Sequence, residues 1–380
     1  MEILKFTDDH HAYRERLASF LEEEVVPLID ECEAAHLTPR SMWRVMGKNG
    51  FLCPWLEEKY GGPGLDFLYS VIVWEEMARI NFTGLAAGLH SDIVVPYIRS
   101  FAGEAQKQAY LPGCASGEII TAVAMTEPAS GSDVASMETT AVTRGDEIII
   151  NGSKTFISNG VNCDLLVLAA RNPDIEDRHK AISLYLVEDG TPGFSKGAPF
   201  EKMGWASQDT TELFFSDCRV PFSSRLGNEG DGFLMLMQKL QQERLVCAAG
   251  GVFGARAMLD KALDFCKNRE RGGRPLSKHQ DVQFALVEMA TEVEILNTFA
   301  HTLIRDHMEG RQIIKETSMA KYRMTEMSKR IASKCLDIMG SEAALEDGDL
   351  PRMFRDARVT SIFAGTNEIM KSIIAKTLGL

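Results

Sequence analysis

The spacing of apolar residues divides the chain into three parts. In the first 119 residues, apolar side chains recur every three or four positions, which predicts helices over Tyr13 to about His36, Phe67 to Ile80 and Ile93 to Phe101. From residue 120 to about 225 the pattern changes to short runs rich in β-branched and aromatic residues, such as AISLYLVEDG. After Gly232 the helical spacing returns in three long segments, Phe233 to about Asn268, Asp281 to about Glu309 and Ile313 to Ile338.

The short links between these three last segments predict a helical bundle. We therefore expect an α+β fold that is mainly α, with an N-terminal α-helical domain over residues 1–119, a β domain over 120–225 and a C-terminal helical bundle over 226–380. Within the β domain, DEIIINGSKTFIS predicts two strands joined by a hairpin turn at Asn151-Gly152.

Charge and composition exclude several classes of function. The net charge of −13 argues against a general nucleic-acid or anionic-membrane surface. No run of eighteen apolar residues predicts a membrane span, and the N-terminal residues lack the pattern of a signal peptide. The eight cysteines form no C-x-x-C pair, so we expect reduced thiols and a cytoplasmic protein. Metal catalysis has no support, because no H-x-x-x-H pair lies on a predicted helix.

The usual nucleotide fingerprints G-x-G-x-x-G and G-x-x-x-x-G-K-[ST] are absent in the required context. Three other motifs stand in order along the chain: AMTEPASGSD, NGSKTFISNG and FRDARVTSIFAGTNEIM. Together they resemble the flavin-binding signatures of the acyl-CoA dehydrogenase family, over essentially the whole sequence. The resemblance implies a helical domain, a β domain and a four-helix bundle. It also implies FAD, an acyl-CoA substrate, an enoyl-CoA product, a role in β-oxidation, a homotetramer and electron-transferring flavoprotein as the electron acceptor.

The resemblance assigns roles to residues of this sequence. Flavin contacts are implied for Met125, Thr126, Ser132, Phe156 and Ser158, with Ser132 also near the thioester. Adenosine contacts are implied for Thr366 and Glu368. Arg269 and Gln280 match positions that reach the FAD of a neighbouring subunit, and Gly340 lies in the run that replaces a glycine-rich cofactor segment. Departures from the family pattern occur at Gly272, where a Phe is common, and at Asp337, where a Gln is common.

The catalytic base is the main question that the resemblance raises. Many relatives carry the catalytic Glu at the position of Ala364, which has no acid group. A subset that includes long-chain and isovaleryl types carries it on a bundle helix, in a run like the QQERL that contains Glu243 here. The resemblance therefore implies that Glu243 removes the proton next to the thioester carbonyl. Arg244, Phe363, Ala364 and Gly365 are implied to seat the thioester, with the Ala364 N–H on its carbonyl.

The helical neighbours of Glu243 give this role a physical basis. Leu240, Val246 and Cys247 lie three or four residues away, so burial can raise the pKa of Glu243 into the range of a general base. Lys239, four residues back, can pull the pKa down. The alternative is a solvated Glu-Arg stretch on an outer helix face.

Asp92, in GLHSDIVVPYI, has two interpretations. Ser and Asp are favoured at helix N-caps, so Ser91-Asp92 can cap a helix formed by the apolar run that follows. Alternatively Asp92 is a second base that reaches a carbon farther from the thioester, as an alicyclic substrate such as a cyclohexane- or cyclohexene-carboxyl thioester requires. Two other classes of function stay open: the fold also hosts flavin oxidases and monooxygenases, and a non-catalytic scaffold role is the third alternative. The sequence does not decide the shape of the acyl group.

Overall fold

The first part of the chain is helical, as the apolar spacing predicts. The computed structural model describes residues 3–345 and 348–380. Its N-terminal helices are α1 (Asp8–Phe20), α2 (Ile29–Ala35), α3 (Arg40–Lys48), α4 (Phe67–Ile80), α5 (Val95–Phe101) and α6 (Glu104–Ser116). The bounds of α4 are those predicted from sequence.

The helix predicted from Tyr13 to His36 is interrupted at its centre. A π-helical turn (Leu21–Val25) and a 3₁₀ turn (Val26–Leu28) separate α1 from α2. Pro27 lies in the 3₁₀ turn, and because proline has no N–H and crowds the preceding turn, it disrupts the regular α-helical ladder. The chain stays helical in direction but changes its hydrogen-bond register.

The middle part forms one eight-stranded sheet. Its strands are β1 (Thr121–Ala124), β2 (Thr140–Arg144), β3 (Glu147–Ile157), β4 (Leu165–Arg171), β5 (Ile182–Glu188), β6 (Phe194–Lys196), β7 (Thr211–Pro221) and β8 (Arg225–Leu226). The order is β6-β7-β3-β2-β4-β5-β8, and β1 pairs with β4 in parallel. On one face of the sheet, alternating residues of β3, β4 and β7 pack together in one buried apolar cluster.

The predicted hairpin at Asn151-Gly152 is wrong. These two residues lie inside the continuous strand β3, and the reversal occurs between Arg144 and Glu147, which pair across the β2–β3 turn. Gly152 instead marks a register shift against β7. Its φ is 142°, and a β-carbon at this position would lie 2.6 Å from Thr139 Oγ1. The Asn-Gly pair therefore marks a β-bulge within a strand here and not a turn.

The last part is the predicted helical bundle. After α7 (Gly232–Asn268), a short hairpin of β9 (Glu270–Arg271) and β10 (Arg274–Pro275) leads to α8 (Gln280–Met308), α9 (Ile314–Met339), α10 (Asp349–Ala357) and α11 (Asn367–Thr377). Gly251 lets α7 approach α9 closely, because a β-carbon there would lie 3.3 Å from the backbone of Met324. The bounds of the three domains stay predictions. Within the described ranges, none of the helices is long and apolar enough to cross a membrane.

The revised hairpin is testable with a matched pair of glycines. Gly152→Ala should lower the thermal unfolding midpoint more than Gly145→Ala. Both add the strain of a positive φ, about 1–2 kcal/mol, but only the β-carbon at residue 152 would meet neighbouring atoms within 3 Å, which adds about 1–3 kcal/mol. An equal or reversed order in a thermal melt would restore Asn151-Gly152 as the turn.

Candidate active site

A proline shapes the helix that carries Asp92. Residues Leu89–Val94 form a π-helical turn that runs into α5, where Pro96 is the second residue. Proline at this place cannot donate to the carbonyl four residues back, which belongs to Asp92. That carbonyl accepts a hydrogen bond at 2.7 Å from Nε2 of Gln242 on α7. The irregular turn is thus tied to the residue that precedes Glu243.

Asp92 is not a helix cap. Its side chain is 2% exposed and lies within the π-helical turn. The carboxylate accepts three hydrogen bonds, from Ser70 Oγ at 2.7 Å, Trp74 Nε1 at 2.7 Å and Trp55 Nε1 at 3.1 Å. Ser91, the other half of the predicted cap, accepts from the Cys53 amide instead. The cap interpretation is wrong because the chain is already helical before residue 92.

The Asp92 carboxylate has no cation beside it in the part of the chain that the structure describes. Burial raises its pKa to about 6, against the three donated hydrogen bonds. A buried carboxylate held only by neutral donors is costly, so the structure keeps the second-base interpretation open.

Glu243 lies in the first half of α7 and is 8% exposed, so the solvated interpretation is wrong. Its Oε2 atom has no hydrogen-bond partner among residues 3–345 and 348–380. Burial raises its pKa to about 7, against the opposing charges of Arg244 and Lys321. A carboxylate with an unused oxygen and a pKa near neutrality suits a general base.

The cations near Glu243 differ in part from those expected. Arg244 is 6% exposed and its Nε atom also has no partner in the described ranges. Lys239, expected to lower the pKa of Glu243, instead donates to Ser100 Oγ at 2.6 Å. The second cation is Lys321 of α9, which sequence spacing could not indicate because it comes from a different helix.

Tyr97 is a site residue that the sequence analysis missed. It is 0% exposed and its hydroxyl has no partner within residues 3–345 and 348–380. Two hydrogen bonds connect α7 to the elements on either side of Tyr97. Lys239 donates to Ser100 of α5, and Gln242 donates to the Asp92 carbonyl in the π-helical turn that precedes α5. Burial first, and then the charge of Glu243, raises the pKa of Tyr97. A tyrosine in an apolar run gives no signal of its own before these helices are placed.

The segment from Phe363 to Gly365 forms a tight turn before α11. Ala364 has φ 54° and Gly365 has φ 84°, both in the left-handed region. The Ala364 N–H donates to no acceptor among the described residues, so it is free for a ligand. Lys321 Nζ donates to the Gly365 carbonyl at 2.7 Å, which brings this turn to the helix whose charge acts on Glu243.

The motif residues of the β domain come together at the ends of β1 and β3. The amide of Thr155 donates to the Thr126 carbonyl at 2.9 Å, which joins Met125-Thr126 to the strand that ends near Phe156 and Ser158. Phe156 is 67% exposed and has φ 57°, a rare conformation for a bulky residue and one of the kind that clusters at ligand sites. Ser132 is exposed and lies on the loop that follows β1, which also carries Met125 and Thr126.

A buried ion pair fixes this loop, and the sequence analysis missed it. Lys154 Nζ lies 2.7 Å from Glu127 Oε1 and donates to the Met125 carbonyl at 3.0 Å. Glu127 also accepts the amides of Glu138 and Thr139. Glu127 lies in the motif AMTEPASGSD and Lys154 in NGSKTFISNG, and these positions were the only sequence feature that could have indicated the pair.

Aromatic contacts join the β domain to the C-terminal turn. Phe156 packs against Phe200 with ring centres 5.3 Å apart, and Trp205 packs edge-on against Phe363 at 5.2 Å. Asp356 accepts the Trp205 amide at 2.5 Å and its indole N–H through the backbone at 3.2 Å. The loop between Phe200 and Trp205 therefore connects the exposed Phe156 ring with the turn that carries Ala364.

Other predicted cofactor residues lie elsewhere. Arg269 ends α7 and pairs at 2.7 Å with Glu342, close in sequence to Gly340, while Gln280 begins α8 and is exposed. Along α7, Arg269 is roughly 39 Å from Glu243, at ~1.5 Å per residue. One chain therefore does not bring these residues to the Glu243 region.

Thr366 and Glu368 open α11, directly after the turn. Thr366 is the N-cap, and its hydroxyl accepts the Ile369 amide at 3.2 Å. Glu368 is exposed in the first helical turn.

The residues present fit a flavin and a thioester. Phe156 offers an exposed ring at the end of β3, and Ser158 and the Met125-Thr126 loop offer polar groups beside it. Ala364 offers an amide that donates to no acceptor within the described ranges. Glu243, Arg244 and Tyr97 each have a buried polar side-chain atom without a partner among the residues that the structure describes, and a bound ligand can satisfy such groups.

Comparisons with known proteins agree with this arrangement. The chain matches three family models: acyl-CoA dehydrogenase, N-terminal domain, over residues 7–118; the middle domain over 122–218; and the C-terminal domain over 230–379. A long-chain specific acyl-CoA dehydrogenase, mitochondrial, of Rattus norvegicus is 39% identical over 374 residues, which cover 98% of this chain and 87% of that protein.

Two solved structures share the fold. The crystal structure of an acyl-CoA dehydrogenase from Geobacillus kaustophilus is 48% identical, with a TM-score of 0.97 and 99% of each chain covered. A chain from a structure named for the electron transferring flavoprotein of Acidaminococcus fermentans is 33% identical, with a TM-score of 0.94 and 99% of each chain covered.

Proposed function

This chain belongs to the acyl-CoA dehydrogenase family, whose members are FAD-dependent oxidoreductases, and we propose that it dehydrogenates an acyl-CoA thioester with Glu243 as the base. The observation that carries the proposal is the buried Glu243 carboxylate, which has an oxygen without a partner in the described part of the chain and a pKa raised to about 7 by burial. Ala364 has no acid group, so it cannot serve as the base.

In the proposed reaction, Glu243 accepts the proton from the carbon next to the thioester carbonyl. The Ala364 N–H donates to the carbonyl oxygen as negative charge develops there, a contribution that preorganised donors make without reorganisation. A bound FAD would supply the acceptor for the hydride from the neighbouring carbon, and the product would be the enoyl-CoA. Arg244, buried beside the base, would seat the thioester chain. Met125, Thr126, Phe156 and Ser158 would hold the flavin ring.

The proposed partners rest on separate observations. The distance between Arg269 and Glu243 along α7 supports a cofactor site completed by a second copy of the chain, with Gln280 and Gly340 at the same shared end. On α8, Phe284, Val287 and Ile295 form an exposed apolar stripe, 59–63% exposed, which supports contact with another copy of the chain. The proposed assembly is a homotetramer. Electron-transferring flavoprotein is the proposed electron acceptor. The cytoplasmic location and the role in β-oxidation stay predictions.

Replacing the base gives the direct test. Glu243→Gln should keep one FAD per chain but lose turnover by about 10²–10⁴-fold, since this is the usual contribution of a general base. Ala364→Glu in that variant should restore part of the activity, because a carboxylate then approaches the same carbon from the turn. Flavin bleaching by CoA thioesters under anaerobic conditions measures both.

Glu294→Gln is the matched control, because this carboxylate is 62% exposed on α8 and far from the base. It should leave turnover unchanged. Full activity of Glu243→Gln would mean that the base lies elsewhere.

A second candidate is a dehydrogenase of an alicyclic CoA thioester. The observation that favours it is Asp92, a fully buried carboxylate with three neutral donors and a pKa raised to about 6 by burial. In this proposal Asp92 accepts a proton from a ring carbon that Glu243 does not reach. The hydride leaves from another ring carbon, as in the first reaction, so the ring gains one double bond.

Asp92→Asn separates the two candidates. If Asp92 is a base, turnover of cyclohexane- or cyclohexene-carboxyl-CoA should fall by about 10²–10⁴-fold while turnover of a straight-chain thioester persists. Because an amide nitrogen cannot accept, at least one of the three donors loses its acceptor, at a cost of about 1–3 kcal/mol. Ser70→Ala is the control, since it removes one of these hydrogen bonds and keeps the carboxylate.

The ratio of ring to straight-chain turnover is the readout. Equal losses on both substrates in Asp92→Asn, matched by Ser70→Ala, would end the second-base proposal. The same screen of straight, branched, dicarboxylic and alicyclic thioesters defines the substrate. Rapid re-oxidation of the bleached flavin in air would favour the alternative of an oxidase or monooxygenase.

A further inference from the structure

Lys321 is a buried cation to which the proposed reaction assigns no step. It lies on α9 and is 0% exposed. Its ammonium donates to the Gly365 carbonyl at 2.7 Å and to Asn367 Oδ1 at 3.2 Å. Within the described ranges no carboxylate lies at ion-pair distance from it. Burying an ammonium whose acceptors are only a carbonyl and an amide costs free energy. A charged residue at this position therefore indicates a role that a neutral residue cannot fill.

The hydrogen bonds of Lys321 belong to a larger clamp on the C-terminal turn. Asn367, the first residue of α11, is 2% exposed. Its Oδ1 also accepts from Thr325 Oγ1 at 3.2 Å, and its Nδ2 donates to Glu326 Oε1 at 2.8 Å. Lys321, Thr325 and Glu326, within two successive turns of α9, therefore hold the chain just after Ala364.

The clamp acts on a strained segment. Ala364 is a non-glycine residue in the left-handed region, which costs about 1–2 kcal/mol, and the next residue is left-handed as well. Such a conformation persists only where the surroundings hold it. Since the Ala364 amide is the proposed donor to the thioester carbonyl, its direction depends on the contacts that fix the following peptide.

The same ammonium also acts on the base. The titratable groups that face Glu243 are Arg244 and Cys247 from its own helix, Tyr97 from α5 and Lys321 from α9. Only Lys321 among them also contacts the Gly365 carbonyl. Burial lowers the pKa of Lys321 to about 8, so its ammonium is still charged in the range where Glu243 titrates. This charge favours the ionised form of Glu243 and thus opposes the effect of burial.

We propose that Lys321 is a positioning residue that links the two halves of the site: it fixes the turn that carries the Ala364 amide and supplies positive charge to the base. This inference rests on the proposed function. It predicts that loss of the ammonium weakens thioester binding and makes Glu243 harder to ionise at the same time.

The test compares four variants of the FAD-loaded protein: Lys321→Met, Lys321→Arg, Asn367→Ala and, as the control, Lys334→Met. Lys334 is an exposed lysine on the same helix that pairs with Glu288. The probe is the thioester that bleaches the wild type fastest among straight, branched, dicarboxylic and alicyclic CoA thioesters. Stopped-flow measurement of bleaching gives its rate and the apparent Kd at each pH, and absorbance gives the FAD content.

Lys321→Met should slow bleaching and weaken the apparent Kd, together by about 10²-fold, since a donor misplaced by about 1 Å costs that much. The midpoint of the rise of the bleaching rate with pH should move upward by about half a unit to one unit, because removing a positive charge raises the pKa of Glu243. Lys321→Arg should return the midpoint toward that of the wild type. Asn367→Ala should weaken the Kd with the midpoint unchanged, and Lys334→Met should match the wild type.

A Lys321→Met protein with the wild-type Kd and midpoint overturns the inference while leaving the proposed function intact. If Lys321→Met does not fold, Asn367→Ala decides, and a wild-type Kd for that variant overturns the clamp. A merely structural Lys321 would lower the unfolding temperature without moving the midpoint, which also overturns the inference. Failure of every thioester to bleach the wild type overturns the proposed function and the inference with it.

Discussion

The burial of the Glu243 carboxylate is the constraint on which the rest of the site depends. A carboxylate removed from water holds its proton more tightly, and burial raises the pKa of Glu243 from 4.5 to about 7. The folded state therefore favours the protonated form. Its contribution to stability is fully present below about pH 4.5 and is lost as the pH rises through about 7, an effect on the order of 3 kcal/mol. An ionised Glu243 at neutral pH thus lowers stability at the place where the proposed chemistry needs a base.

The surrounding structure limits this cost and directs the carboxylate. Pro96 frees the Asp92 carbonyl, which Gln242 then binds, so an irregular turn of the N-terminal part is fixed to the residue beside the base. On the other side, Lys321 holds the Ala364 turn and contributes charge. The proposed base and the proposed carbonyl donor come from segments more than a hundred residues apart, so their alignment depends on α9, against which both α7 and α11 pack.

Much of the fold follows from the sequence because helices of two to ten turns repeat their apolar pattern often enough to be recognised. The bounds of α4 and of the three long bundle helices agree with the pattern within about a residue. Local chemistry was misleading where tertiary contacts decide. Asn151-Gly152 looks like a hairpin turn but is part of a strand that β7 continues to pair, and Ser91-Asp92 looks like a cap but lies in a helix that has already begun.

The candidate site divides in the same way. Glu243, Ala364 and the motif residues could be named from the sequence, because the resemblance rests on short contiguous runs. Tyr97 and Lys321 could not, because an isolated tyrosine or lysine in a helical pattern carries no signal until its neighbours from other helices are known. The ion pair of Glu127 and Lys154 was predictable only in part. Both residues belong to the flavin-type motifs, but nothing in either motif indicated that they pair with each other.

The ionisation of Glu243 itself is the most direct test of this account. The infrared difference spectrum between the wild type and Glu243→Gln isolates the carboxyl band of this residue, which can be followed from about pH 5 to about pH 9 in the FAD-loaded protein without substrate. The account predicts a protonated carboxylic acid at pH 6 that disappears with a midpoint near 7, as the pKa of Glu243 requires. A band already absent at pH 6, with a midpoint near 4.5, would show a solvated carboxylate and contradict the central role of its burial.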